Sequence, residues 1–352
     1  MDPLTISLTA LGGVVLAGLV AHGAWQARRA NPKRAQLAPA RPEQVEPVMD
    51  AVAGAFADDP DELAPRGPGR SERRLSKRHM PRLDALIDAI APLTLEAPAS
   101  GDMILAHLPP TRRAGGKPFI IEGLNSESGE WEAPTAGHRY SEFQAGVQLA
   151  NRTGPLNEIE YSEFVQKVQV FAEATGAMAD FPDMLDVVAR ARELDAFASQ
   201  HDAQLAVRLK AVNAAWSVGY IQQHGGQHGF VPGVVPGRLV MPSADEGAPP
   251  VLTLTFDSQA ALADDPNLSA VHDVTLSFDV PQTDAKAEPF EAWQKSAQAL
   301  AENMDGTIVD DHGRPLRAES FTAIGGELGQ LYEALEARDL AAGSAAARRL
   351  FS

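Results

Sequence analysis

No cysteine occurs among the 352 residues. That absence excludes a disulfide framework, thiolate zinc sites and cysteine nucleophiles together. Aromatic residues are scarce at 6%, and 30 basic side chains are outnumbered by 47 acidic ones, a formal net charge of −17. A nucleic-acid partner is not expected, because phosphate contacts need a basic face from which counterions are released. The deficit of positive charge is uneven: residues 1–34 carry +3, residues 35–80 carry −1 and the remainder carries −19. One stretch, Leu4 to Trp25, has no formal charge at all.

Those 22 residues would span roughly 33 Å as a helix, enough for a hydrocarbon core of about 30 Å. Residues 1–30 are therefore expected to form a transmembrane helix. A secretory leader would open on basic residues and end in a small-x-small cleavage site. Here the one early charge is Asp2, and Arg28, Arg29, Lys33 and Arg34 all follow the apolar run. The expectation is an uncleaved single-pass anchor with its short N-terminus outside and everything after residue 34 in the cytoplasm. Gly13, Ala17 and Ala21 form a small-x-x-x-small row. It is read either as weak self-association between such helices or as the ordinary richness of membrane helices in small residues.

Residues 31–80 hold Pro32, Pro39, Pro42, Pro47, Pro60, Pro65 and Pro68 with mixed charge and little apolar periodicity. This composition predicts a disordered linker, with a root-mean-square reach of roughly 40 Å. The basic stretch Arg66 to Arg78 that ends it is read as solvated charge, with a lipid-facing patch as the alternative.

From residue 81 onward the pattern predicts an α+β fold in two units, residues 81–200 and 201–352. In the first, Leu83–Leu95, Lys117–Gly123 and Glu142–Leu149 read as strands, Gly101–Leu108 as a short helix, and Tyr161–Thr175 as a helix stopped by Gly176. In the second, Gln204–Val212, Val251–Phe256 and Val274–Val280 read as strands, Val218–Gly225 as a short helix, and Glu291–Met304 as a helix stopped by Gly306. The order recurs with a period of about 129 residues, as Gln166-Lys167 and Gln294-Lys295 illustrate. Two tandem split β-α-β units are expected, each an antiparallel sheet with helices on one face and the other face free for a partner.

Candidate chemistry is sparse. Asp310-Asp311 before Gly313 reads as a polar turn rather than an acid-base pair. His224 and His228 flank Gly225-Gly226, which argues against a rigid metal-binding helix face. Gly115-Gly116-Lys117 is followed by Pro118 and lacks the upstream glycine of a phosphate loop. Asn151-Arg152-Thr153 matches a glycosylation acceptor but falls on the cytoplasmic side. No catalytic residue, cofactor or metal is expected. The terminal Ala341–Leu350 segment is read as a docking peptide or a frayed last helix.

Several spaced marks do carry a resemblance: Gly229-Phe230 after a short helix; Val274-Thr275-Leu276-Ser277-Phe278 leading to Val280-Pro281; Ser296-Ala297-Gln298 within a helix; and Gly306 followed by Val309-Asp310-Asp311. The segment from about Leu205 to Leu335 resembles the C-terminal domain family of the bacterial cell-division protein ZipA, and the order anchor, linker, domain is similar to the family's. The resemblance implies a non-enzymatic adaptor that binds the C-terminal tail of the tubulin-like GTPase FtsZ and tethers the division ring to the bacterial inner membrane. It also implies that the tail lies on the exposed sheet face, opposite the helices.

Carried over by strand parity, the inward residues are Leu205, Val207, Leu209, Leu252, Leu254, Leu276 and Phe278. The outward, partner-binding residues are Ala206, Arg208, Thr255, Asp257, Thr275 and Ser277, with Val235 reaching the face from a preceding loop. The family's groove carries large apolar side chains at several of these places, whereas this sequence has small and polar ones. A membrane-anchored enzyme or ligand sensor with an unrecognised site is the alternative reading.

Overall fold

The computed structural model describes residues 83–245 and 247–352. The anchor expected at 1–30 and the linker at 31–80 lie outside the described residues. Among the described residues no helix is long and apolar enough to cross a membrane.

The first sheet begins with β1 (Asp88–Ser100) and α1 (Gly101–His107). Then come β2 (Arg113–Ala114), β3 (Lys117–Asn125), β4 (Trp131–Glu132) and β5 (Arg139–Gln148). A small hairpin, β6 (Ala150–Asn151) and β7 (Gly154–Pro155), leads into α2 (Glu158–Thr175), β8 (Ala177–Ala179) and α3 (Met184–His201). The antiparallel strand order is β2-β3-β5-β1-β8, with β4 beside β3. The expected strand from Leu83 starts only at Asp88. Asp84 accepts the backbone N–H of Leu86 on its side chain and those of Ile87 and Asp88 on its carbonyl, which bends residues 84–87 into a turn.

The second sheet is built from β9 (Gln204–Ala211), α4 (Val218–Gln227), β10 (Val231–Pro232), β11 (Arg238–Met241), β12 (Leu252–Thr255) and α5 (Ser258–Ala261). It continues through β13 (Asp273–Asp279), α6 (Pro289–Met304), β14 (Gly306–Val309), α7 (Ala318–Glu336) and α8 (Ala345–Leu350). Its antiparallel order is β10-β11-β12-β13-β9-β14. In both sheets the first strand lies between the strand that precedes the long helix and the strand that follows it.

The long helices α2 and α6 bury corresponding residues at a constant spacing of 129: Phe164 and Trp293, Val168 and Ala297, Phe171 and Leu300, Thr175 and Met304. Burying a large apolar side chain contributes about 1.5–3 kcal/mol, so these faces hold each helix on its sheet. The polar ends of the fully buried Trp293 and Trp216 are satisfied: Trp293 Nε1 donates to Leu276 O at 3.0 Å and Trp216 Nε1 to Met304 O at 2.7 Å. Gly176 ends α2 in the left-handed conformation, φ 70°. The corresponding stop of α6 is Asp305, φ 55°, not Gly306, which already belongs to β14.

The C-terminal segment is neither frayed nor free. Ala346, Ala347, Leu350 and Phe351 join the apolar core of the first sheet, so the chain's last turn returns to the unit it left at residue 200. Arg349 clamps it with two bonds of 2.8 and 2.6 Å to the buried Asp88 carboxylate.

Candidate sheet-face binding site

Strand parity places the side chains of the second sheet as the alternation predicts. Leu252, Leu254, Leu276 and Phe278 are buried against the helices beside Val207 and Leu209, while Ala206 and Arg208 are exposed on the opposite face. Hydrogen-bonded register sets two transverse rows on that outer face. One is Arg238, Thr255, Thr275 and Arg208; the other is Val240, Thr253, Ser277 and Ala206.

Over these rows lies a groove of about 670 Å³. Its floor includes Ala206, Thr253, Thr255, Thr275 and Ser277, and its apolar lip is made by Val235, Pro236, Pro249 and Pro250. Five of the seven nominated residues thus come together: Ala206, Val235, Thr255, Thr275 and Ser277. Arg208 stands beside them, paired in register with Thr275, outside the groove lining.

Asp257 does not belong to this face. β12 ends at Thr255, and the Asp257 carboxylate instead caps α5 by accepting from Gln259 N at 2.8 Å. Parity has no meaning past the last paired residue. Ser277 differs in another way: it faces outward, yet only 7% of it is exposed, because it lies at the bottom of the groove.

The floor is cross-linked by its own polar groups. Thr255 Oγ1 donates to Thr275 O at 3.4 Å, and Arg238 Nη2 donates to Thr253 Oγ1 at 3.3 Å. One end is closed by the first unit. Arg152, in the β6–β7 turn, donates to both oxygens of Asp202 at 2.9 and 2.6 Å and to Asp279 Oδ2 at 2.6 Å. Hydrogen bonding to Asp202 holds the guanidinium even more firmly protonated than usual, whereas burial pushes the Asp279 carboxyl above its ordinary range in spite of Arg152. No local pattern announces Arg152, since its partner Asp279 is 127 positions away. Arg238 was more accessible to reading: it opens the apolar run Leu239-Val240-Met241 directly after Gly237.

The corresponding face of the first sheet is covered at one end, where the expectation was a free face on both, while Pro92, Thr94 and Glu142 on the same face stay exposed. Leu83 seats on Gly146, where an added Cβ would lie 2.5 Å from Leu83 Cδ2. Glu122 is fully buried and accepts from Gln144 Nε2 at 3.0 Å.

The remaining motifs are structural. Lys117 Nζ is buried and donates to Asn151 Oδ1, Thr153 Oγ1 and Gly154 O at 2.7, 3.1 and 2.6 Å, which accounts for both the Gly-Gly-Lys and the Asn-Arg-Thr runs. Asp310 Oδ1 accepts from His312 N and Arg314 N, the geometry of a turn. Gly225 and Gly226 do lie within a helix, α4, with His224 on it and His228 as its cap. Among the described residues no group of three His, Asp or Glu side chains converges on a metal position.

Residues 262–325 match the family model described as ZipA, C-terminal FtsZ-binding domain. The matched segment runs from the end of α5 through β13, α6 and β14 into α7, and it contains the marks Val274–Phe278, Ser296-Ala297-Gln298 and Gly306 to Asp311 on which the resemblance rested. It covers a minority of the chain, and Gly229-Phe230 lies outside it. No curated protein matches the chain.

Proposed function

We propose that the protein is a cell-division adaptor: it holds the C-terminal tail of FtsZ in the groove on the outer face of the second sheet and anchors it to the bacterial inner membrane through residues 1–30. The observation that carries this reading is the coincidence of family match and groove, because the matched strand β13 supplies Thr275 and Ser277 to the floor. The apolar lip of Val235, Pro236, Pro249 and Pro250 offers the area that drives peptide docking, at about 25 cal/mol per Å² before ordering costs. A floor of Thr, Ser and Ala adds little to it, so each site binds weakly. Many copies on one membrane, facing many tails on one filament, recover strength through avidity.

The membrane part of the proposal is supported by the uncharged run Leu4 to Trp25 and the cations Arg28, Arg29, Lys33 and Arg34 behind it. Capture of FtsZ by the full chain, with and without the FtsZ tail, tests the adaptor. Retention that survives removal of the tail contradicts it. A reporter fused after residue 34 tests the topology independently: activity of a cytoplasmic reporter is expected, and activity of a periplasmic one overturns the orientation.

A further inference from the structure

The charges on the outer face of the second sheet are not distributed like those of the molecule. The chain as a whole carries −17, yet this face is rich in cations. Lys210 is paired in register with Asp273, and Asp279 is bound by Arg152. Arg208 and Arg238 form no ion pair among the described residues; Arg238 makes a hydrogen bond to a neutral hydroxyl, and both side chains are exposed. They stand on a single transverse row, Arg238, Thr255, Thr275, Arg208, across four neighbouring strands, which continues beyond Arg208 to Val309 of β14.

At about 4.8 Å between strands the stretch from Arg238 to Arg208 is roughly 14 Å long, the span of about four residues of extended peptide. The two hydroxyl residues between the arginines add donors and acceptors but no charge. Guanidinium groups at such a spacing match carboxylates better than any neutral side chain, because a charge-assisted hydrogen bond is about twice as strong as a neutral one.

We infer that the segment the groove accepts is acidic, an extended peptide crossing the strands with carboxylates about four residues apart that pair with Arg208 and Arg238. This rests on the adaptor reading and adds a selection rule to it: the lip supplies apolar contact, and the arginine row decides which peptides are kept. It also accounts for the position of Arg208, which lies beyond the groove lining but in line with it.

The test is a double-mutant cycle on the full chain, titrated with the FtsZ tail peptide and with the same peptide after its Asp and Glu are replaced by Asn and Gln. The wild type should bind the acidic form at least tenfold more tightly than the amide form, and Arg208→Gln with Arg238→Gln should bind both forms alike. A second variant, Arg208→Lys with Arg238→Lys, keeps the charge and should retain part of the preference, which guards against a folding defect in the first. Equal binding of both peptides by the wild type, or a preference that persists in the glutamine variant, overturns the inference and leaves the adaptor reading standing. Failure of the wild type to bind either peptide overturns both.

Discussion

Ser277 and Asp257 mark how far the alternation of a strand can be trusted at the scale of single residues. Parity assigns Ser277 to the outer face correctly, but exposure depends on the loops that rise around it, and the prolines of that lip, Pro236, Pro249 and Pro250, come from 27 to 41 positions earlier in the chain. Asp257 obeys a different rule, the preference of Asp for a helix N-cap, which takes over where pairing stops. Arg152 lay beyond any local rule. Replacing it by Gln removes its bonds to Asp202 and Asp279 and leaves two carboxylates facing each other. We expect a loss of about 1–2 kcal/mol in urea denaturation, since bonds to charged groups are worth somewhat more than neutral ones; an unchanged midpoint would show that the units do not depend on this clamp. Asp88 gives a prediction with a sign. Burial is the largest influence on its carboxyl and holds it above the ordinary carboxylate range despite Arg349. A raised acid contributes stability that is fully present below the unfolded value and is lost as pH rises through the folded one. Relative to the non-titrating Asp88→Asn, the wild type should therefore lose stability as the pH rises above the ordinary carboxylate range, about 4. A relative gain over that rise would contradict the sign.

At the scale of elements, helices and strands with one buried face were the most legible. The spacing of Tyr161, Phe164, Val168 and Phe171, with Gly176 behind it, marks α2 in the sequence as it does in the fold. α3 carries an equally clear pattern, Val187, Ala191, Leu194 and Ala198 behind the capping Asp183, and the sequence reading passes over it. α4 is legible from Val218 but reads two residues short, ending at Gly225 rather than Gln227, because two adjacent glycines weigh against a helix. The fold uses Gly225 for a close approach: a Cβ there would lie 2.9 Å from Leu239 Cδ1. Gly225→Ala should thus cost about 1–3 kcal/mol by overpacking, despite the better helix propensity of alanine. A stabilised variant in thermal denaturation would show that the helix can retreat without loss. Phe278, 2% exposed, packs its ring into the core with its centroid 6.2 Å from that of Trp293. Phe278→Asp should abolish cooperative unfolding of the second sheet, because an unpaired carboxylate in that core has no partner.

For the molecule as a whole, the recurrence of one strand order twice was visible in the sequence only as a faint period, while the difference between the two copies was not visible at all. One outer face is covered at its Gly146 end by Leu83 and the other is left as a groove, and that contrast depends on a residue with no strand pattern of its own. The return of Leu350 and Phe351 to the first core was equally hidden, since it joins residues from opposite ends of the described chain. The central claim is that the open face of the second sheet is the partner site. The most direct measurement is a titration of the full chain with FtsZ tail peptide, comparing the wild type with the double variant Ala206→Asp, Thr275→Asp. Both positions lie on the groove floor and outside the core, so the thermal melt should hardly move. The account predicts saturable one-to-one binding by the wild type and its loss in the variant. Unchanged binding by a variant that melts like the wild type would contradict it and place the site elsewhere on the molecule.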